Sequence, residues 1–259
     1  FGWAQVHVVS MMDLVHFCDW DFFDRNRVTV WDPTRILFCF DHFMHPGFGL
    51  GVSGLEKLRD WARRHSIPPE NIFDIGRQGN SHQVPAEEGW ALPGTVYAGA
   101  DSQASTLGAM NCFTFAANAD TPYVMATGKT WFRVPATIRV NLHGELPEGI
   151  LGKDIHQCML EALRGKAEGC VIEVGGPGLA SLPVDVRMSV ANGAPHLGAD
   201  TIVFEADRVL LDYLAPRART AFEPCNPDPG AAYAASWNLD LDSLQPMISG
   251  PGDPYRIRP

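Results

Sequence analysis

The chain has 259 residues, of which 46% are hydrophobic and 19% charged. That length and composition fit one large domain or two small ones with a substantial core, and exclude a disordered tail. Twenty Lys and Arg against thirty Asp and Glu give a formal charge of -10, which argues against a nucleic-acid binder because affinity for phosphate backbones rests on basic side chains.

In chain order, Val6–Val9 and Arg35–Phe40 read as strands, rich in β-branched and aromatic residues. Asp13–Asn26 between them reads as a short helix plus loop. Ser53 to His65 reads as a helix with Ser53 as N-cap, an apolar face of Leu55, Leu58, Trp61 and Ala62, and Pro68-Pro69 after its end. Ile72–Ile75 follows as a short buried strand, completing a strand–helix–strand unit. Thr95–Ala100 is the next expected strand, and Ala104–Asn118 an expected helix with Met110, Phe113 and Ala117 on one face. A helix over Thr121–Thr127 ends near Gly128, and Trp131–Val134 with Ile138–Leu142 reads as a hairpin around Pro135. Lys153–Arg164 has apolar positions 155, 158, 159, 162 and 163 at the helical period. A strand over Val171–Val174, a helix over Val184–Gly193, a strand over Ile202–Phe204 and a helix over Arg208–Leu214 complete the series. Beyond Pro216 the density of Pro, Asp and Gly obscures any element. The alternation predicts a layered α/β fold over residues 1–259, with a possible subdomain boundary near 143–152.

The apolar runs, such as Val28–Val30 and Ile36–Phe40, are too short to span a bilayer, so no membrane partner is expected. No basic segment precedes an apolar stretch at the start, so no signal peptide is expected and the setting reads as cytoplasmic. The chain begins at Phe1 instead of Met, which suggests that natural N-terminal residues precede it. The six cysteines, at 18, 39, 112, 158, 170 and 225, contain no C-x-x-C pair and read as buried thiols in a reducing compartment.

Polar, titratable residues concentrate where expected strands end, the edge at which open α/β sheets commonly bind ligands. Asp41-His42 follows a strand directly. A carboxylate beside an imidazole fixes its tautomer and raises its basicity, although such a pair also occurs in solvated loops. His45, three residues on, either shares that site or caps a turn. Gly79-Asn80-Ser81-His82-Gln83, with Glu87 and Gly89 downstream, places a histidine in a Gly-flanked loop near a carboxylate. Asp101-Ser102-Gln103-Ala104-Ser105-Thr106 lies at a strand-to-helix junction, where exposed N–H groups attract an anion or Asp and Ser simply cap the helix. Gly175–Gly178 lacks a phosphate-loop pattern and reads as a turn. Asn192 and His196 are one helical turn apart, although Pro195 interrupts the helix that would align them.

Taken in order, these strings resemble the aconitase family, nearest to the large subunits of isopropylmalate dehydratase and homoaconitase. Asp41-His42 matches the family's Asp-His after a strand, and Gly79-Asn80-Ser81-His82-Gln83 with Glu87 and Gly89 approaches its Gly-Ile-x-His-Gln loop. Pro93-Gly94, Gly99-Ala100-Asp101-Ser102-Gln103-Ala104 and Gly108-Ala109 follow its Gly-x-Asp-Ser-His-Thr block. Ala126 to Val140 nearly reproduces its ATGK-W-VP-TIRV run, and Gly152-Lys153-Asp154 its Lys-Asp helix start.

The resemblance implies three-layer α/β/α domains and reversible dehydration of a small hydroxy di- or tricarboxylate by a hydro-lyase or isomerase. It implies a [4Fe-4S] cluster whose cysteines, in the family, begin at a Gly-Ser-Cys-Thr-Asn string absent here. A missing segment or a second chain would then supply the cluster, together with a swivelling small domain carrying a serine and arginines. Asp41, His42, His82 and Asp101 become the expected catalytic groups, and Ser102, Gln103, Glu87, Asn192 and His196 the expected substrate contacts. Three departures stand out. Gln103 replaces an imidazole, Ala104 replaces Thr, and the family's Asn-Met-x-x-Glu reads Asn192-Gly193-Ala194-Pro195-His196. A shortened cluster-free relative is the alternative, with no metal or with Fe or Zn held by His42, His82, His196 and Asp101. A non-catalytic ligand-binding module is the third reading.

Overall fold

The computed structural model describes residues 1–13, 18–42, 49–77, 79–253 and 255–259, with 49–53 described by backbone alone. His45 lies outside the described residues, as does the side chain of Ser53. The chain divides into two compact units. The first comprises Phe1–Ala91, Thr95–Ala104 and Thr114–Val134; the second comprises Leu92–Gly94, Ser105–Phe113 and Pro135–Pro259.

In the first unit the elements run β1 (Gly2–Gln5), β2 (Val8–Met12), α1 (Asp21–Asn26), β3 (Ile36–Cys39), α2 (Gly49–Arg64), β4 (Ile72–Phe73), α3 (Val84–Glu87), β5 (Val96–Gly99), β6 (Phe113–Ala116), α4 (Thr121–Thr127) and β7 (Lys129–Phe132). Five strands form one sheet in the order β4-β3-β2-β5-β6. β2 pairs in parallel with β3 and β5, and β3 with β4. The central strands, Val-Val-Ser-Met-Met and Ile-Leu-Phe-Cys, are buried at every position, as expected of parallel strands covered on both faces. Phe38, Phe40, Leu58 and Phe23 pack with Trp61 in the core. Trp61 meets Phe23 edge-on at 4.9 Å between ring centres and stacks on His65 at 4.1 Å. β1 and β7 form a separate antiparallel ribbon.

The second unit contains β8 (Ala136–His143), α5 (Gly152–Leu163), β9 (Cys170–Gly175), α6 (Val184–Ala191), α7 (Ala194–Leu197), β10 (Thr201–Phe204), α8 (Arg208–Leu214), β11 (Ala235–Asp240), β12 (Ile248–Ser249) and β13 (Ile257–Arg258). Its four-stranded sheet has the order β10-β9-β8-β11, parallel throughout. α5 packs on α6. Arg187 of α6 is fully buried, bonds Asp207 through two nitrogens at 2.7 Å and donates to the carbonyls of Leu179 and Leu182. That network ties the loop before α6 to the start of α8. Among the described residues no helix is long and apolar enough to cross a membrane.

The α/β class and most elements follow the sequence reading, and α4 and α8 match it residue for residue. Gly128 ends α4 at φ 64°, a left-handed conformation that glycine adopts without steric cost. Four expectations are corrected. The helix expected over 104–118 is instead a 3-10 helix over Ser102–Met110 followed by β6. The run lacks an amphipathic stripe, Asn111 turns it at φ 56°, and Phe-Thr-Phe-Ala suits a strand. The expected hairpin around Pro135 does not form, because β7 pairs with β1 whereas β8 pairs in parallel with β9 and β11. α2 begins at Gly49, four residues before the expected Ser53 cap. The segment 143–152 joins β8 to α5 inside the second unit, and the last of the chain's five passages between units falls at Val134–Pro135. β8 is hydrogen-bonded along its length into the second sheet, which sets that earlier division.

A carboxylate–imidazole cluster at the carboxyl edge of the first sheet

Three adjacent parallel strands each deliver an aspartate at their carboxyl ends. Asp13 follows β2, Asp41 follows β3 one residue past Phe40, and Asp101 follows β5 one residue past Ala100. Parallel strands all end at the same edge, so the sheet order β3-β2-β5 gathers the three carboxylates. The turn between β4 and α3 brings His82 to the same group.

Asp41 Oδ1 lies 2.7 Å from His42 Nδ1, and Asp41 Oδ2 accepts the Ser81 N–H at 2.6 Å. One carboxylate thus orients the histidine and also anchors the turn bearing His82. Asp13, whose side chain is fully buried, accepts the His42 N–H at 2.8 Å and the Asp41 N–H at 3.4 Å. Its Oδ1 lies 3.7 Å from His42 Nδ1. On the other side of the ring, His42 Nε2 lies 3.6 Å from Asp101 Oδ2, and His82 Nδ1 lies 3.9 Å from that same oxygen. Gln103 N–H donates to Asp101 Oδ1 at 2.7 Å, and Ser102 Oγ donates to the Gln103 side-chain oxygen at 2.6 Å.

The surroundings set the charges. The hydrogen bond to Asp41 raises the His42 pKa; burial opposes this, and the charges of Asp41, Asp101 and Asp13 reinforce it. For Asp101, burial alone would favour the neutral acid. The facing His82, the Gln103 N–H and the charge on His42 outweigh it and hold the carboxyl below its usual range. His42 is therefore biased toward imidazolium and Asp101 toward carboxylate. A cavity of about 380 Å3 opens onto this group, lined by His42, Asp101, Ser102 and Gln103 and walled by Met11 and Cys18 among others.

Of the expected site residues, Asp41, His42, His82, Asp101, Ser102 and Gln103 come together in the first unit. Glu87 does not line the cavity: it is exposed on α3 and accepts from Gln83 Nε2 at 2.6 Å. Asn192 and His196 belong to the second unit. α6 stops at Ala191 and Pro195 opens the separate α7, so the two do not share one helix. Asn192 Nδ2 donates to Thr106 Oγ1 at 2.9 Å, and His196 Nδ1 faces His156 Nε2 at 3.4 Å. The expected four-residue metal set therefore has three members in the first unit. The triplet of potential ligand atoms that does converge among the described residues, within 4.8 Å, is Asp13, Asp41 and His42. Those atoms are already engaged in the hydrogen bonds described above. Asp13 and His156 are the residues the sequence reading missed. Asp13 had a signal, the strand-end position it shares with Asp41 and Asp101.

An iron–sulfur cluster is held by several cysteine thiolates. Burial pushes the Cys18 thiol up to about 11 and raises that of Cys39 further. Among the described residues no three cysteines converge, so the thiols present here do not fit a cluster.

A family model described as Aconitase family (aconitate hydratase) matches residues 53–258. The chain is 37% identical to 3-isopropylmalate dehydratase large subunit 1 of Methanopyrus kandleri, over 89% of this chain and 55% of that protein. It is 34% identical to the 3-isopropylmalate dehydratase large subunit of Mycolicibacterium smegmatis, over 97% of this chain and 60% of that one. It is also 34% identical to a probable methanogen homoaconitase large subunit of Methanosarcina mazei, over 92% and 61%. The matches thus span between 55% and 61% of those relatives.

Proposed function

The chain belongs to the aconitase family, and we propose on that premise that it carries the proton-transfer part of a hydro-lyase or isomerase site. The substrate class is a small hydroxy di- or tricarboxylate. The observation that carries this reading is the His42 imidazole, bonded at Nδ1 to Asp41 and open at Nε2 toward Asp101 and the cavity. With Nδ1 engaged, the proton at Nε2 is the transferable one. Delivered to a substrate hydroxyl, it lets that group leave as water; in the reverse direction Nε2 recovers a proton from the entering water. Asp41 and Asp13 stabilise the imidazolium between these steps and hold its orientation. Ser102 and Gln103 line the cavity beside it as hydrogen-bonding groups for a substrate oxygen.

The same geometry supports a multi-chain assembly. Three carboxylates against two imidazoles disfavour an anionic substrate, and no Lys or Arg appears among the described lining residues. Cationic substrate contacts, in this reading, come from a small-subunit partner with a swivelling domain, and the cluster thiolates from outside these residues. Six free thiols suit a reducing, cytoplasmic setting. The test is turnover of hydroxy di- and tricarboxylates by the native assembly carrying His42→Ala. A loss of roughly 10²–10⁴-fold is expected from removal of a general acid–base group. Unchanged turnover contradicts the assignment.

A further inference from the structure

The second unit holds a pair of imidazoles that the proposed proton transfer does not use. His156, on α5, is 1% exposed. Its Nε2 lies 3.4 Å from Nδ1 of the exposed His196 on α7, and its own Nδ1 has no hydrogen-bond partner among the described residues. The space for this ring comes from Gly193, at which a Cβ atom would fall 2.0 Å from His156 Nδ1. That Cβ would also fall 2.1 Å from Cε1 and 2.6 Å from Cγ, so the glycine backbone packs against the face of the ring.

This placement decides the protonation of both rings. A neutral imidazole has one N–H and one bare nitrogen, and only the N–H needs an acceptor. A proton on His156 Nδ1 would leave a buried N–H with no acceptor among the described residues, which native structures avoid. A bare Nδ1 leaves only an acceptor unfilled, which costs less than an orphaned donor. The proton then sits on Nε2 and is donated to His196 Nδ1, which must be the bare nitrogen of its own ring. Lys153, on α5, acts on both rings and, with burial, keeps both below the ordinary imidazole range.

We infer that His156 is a positioning residue that locks His196 as its neutral Nε2–H tautomer, giving the second unit a fixed hydrogen-bond donor where the resembled motif has a carboxylate acceptor. Gly193 and His196 both lie in the string that departs from that motif, and His156 packs against both. The three residues act as one device: the glycine admits the buried ring, and the buried ring sets the exposed one. The ligand class that suits this donor is an oxygen acceptor, a carboxylate or hydroxyl. Its use on an acidic substrate rests on the function proposed above, whereas the tautomer does not.

The test is long-range 1H–15N correlation of the histidine rings in the full chain, with no substrate present, so its failure is separable from failure of the proposed activity. His196 is expected to show a bare Nδ1 and a protonated Nε2, and His156 the same pattern. In His156→Leu, the His196 signals should move to a tautomer mixture. His156→Gln, whose side-chain amide places an N–H near the lost Nε2, should restore the single tautomer. Gly193→Ala should displace the buried ring and reproduce the His156→Leu spectrum. A protonated Nδ1 on His196 in the wild-type chain, or an unchanged His196 spectrum in His156→Leu, overturns the inference.

Discussion

Two histidines, one in each unit, are handled in opposite ways. In the first, His42 sits among Asp41, Asp13 and Asp101, and its pKa rises. In the second, His156 is buried, lies near Lys153, meets another imidazole and is pushed down to about 3. Residue type alone therefore says little about charge. One ring is built to carry a proton and the other to refuse one, and the neighbours that decide this are both near and far in sequence: Asp41 adjoins His42 and Lys153 shares α5 with His156, whereas Asp13 is 29 residues from His42 and His196 is 40 from His156.

The sharpest way to break the comparison is to remove the charged ring. His42→Ala should cost the native assembly roughly 10²–10⁴-fold in kcat, whereas His156→Leu should leave kcat within a much narrower range; steady-state kinetics on both variants decides it. The next effect is on acid stability. The His156 pKa is depressed in the folded chain, so its contribution is intact above about 6.5. It falls as pH drops, because the unfolded chain then binds a proton that the folded one refuses. By pH 3 this loss amounts to roughly 5 kcal/mol, and urea titrations across that range should show a smaller loss in His156→Leu.

A smaller effect tests the support beneath His42. Asp13→Ala strips the acceptor from the His42 and Asp41 N–H groups and should destabilise the fold by about 1–3 kcal/mol, measured by denaturant unfolding, while lowering the His42 pKa. The smallest is a shift without unfolding. Asp41→Asn removes the leading cause of the raised His42 pKa, so the ring should titrate at lower pH. The sign for stability is opposite to that of His156: a raised pKa contributes below the unfolded value and loses its contribution as pH rises through the folded one. Asp41→Asn should therefore flatten the alkaline side of the stability profile.

Much of this arrangement was legible in the chain. Asp41-His42, His82 and Asp101-Ser102 announced themselves as polar residues at strand ends, the edge at which open α/β sheets commonly bind ligands, but their spacing did not show that they would meet. Asp13 was overlooked because the strand was expected to end at Val9 and Asp13 to open a helix-plus-loop segment, whereas β2 runs to Met12 and places Asp13 directly after its end. Glu87 was selected by its proximity in sequence to His82, but α3 turns it toward Gln83. His156 carried no signal: it falls among apolar positions of an amphipathic helix, and only the packing of α5 against the Gly193 turn reveals why an imidazole fits there. In the fold, the errors fell where small or polar residues form ordered structure. Residues 104–118 lack an amphipathic stripe, and β11 is largely exposed, so neither carries the apolar periodicity on which the reading relied.

The central claim is that the carboxylate cluster makes His42 an acid while burial keeps His156 neutral. A single pH series of imidazole NMR spectra on the wild-type chain tests it. His42 should lose its proton above the ordinary imidazole value of about 6.5, and His156 should stay neutral down to about pH 3. If His156 gains a proton near 6.5, or His42 loses one at or below it, the account is contradicted.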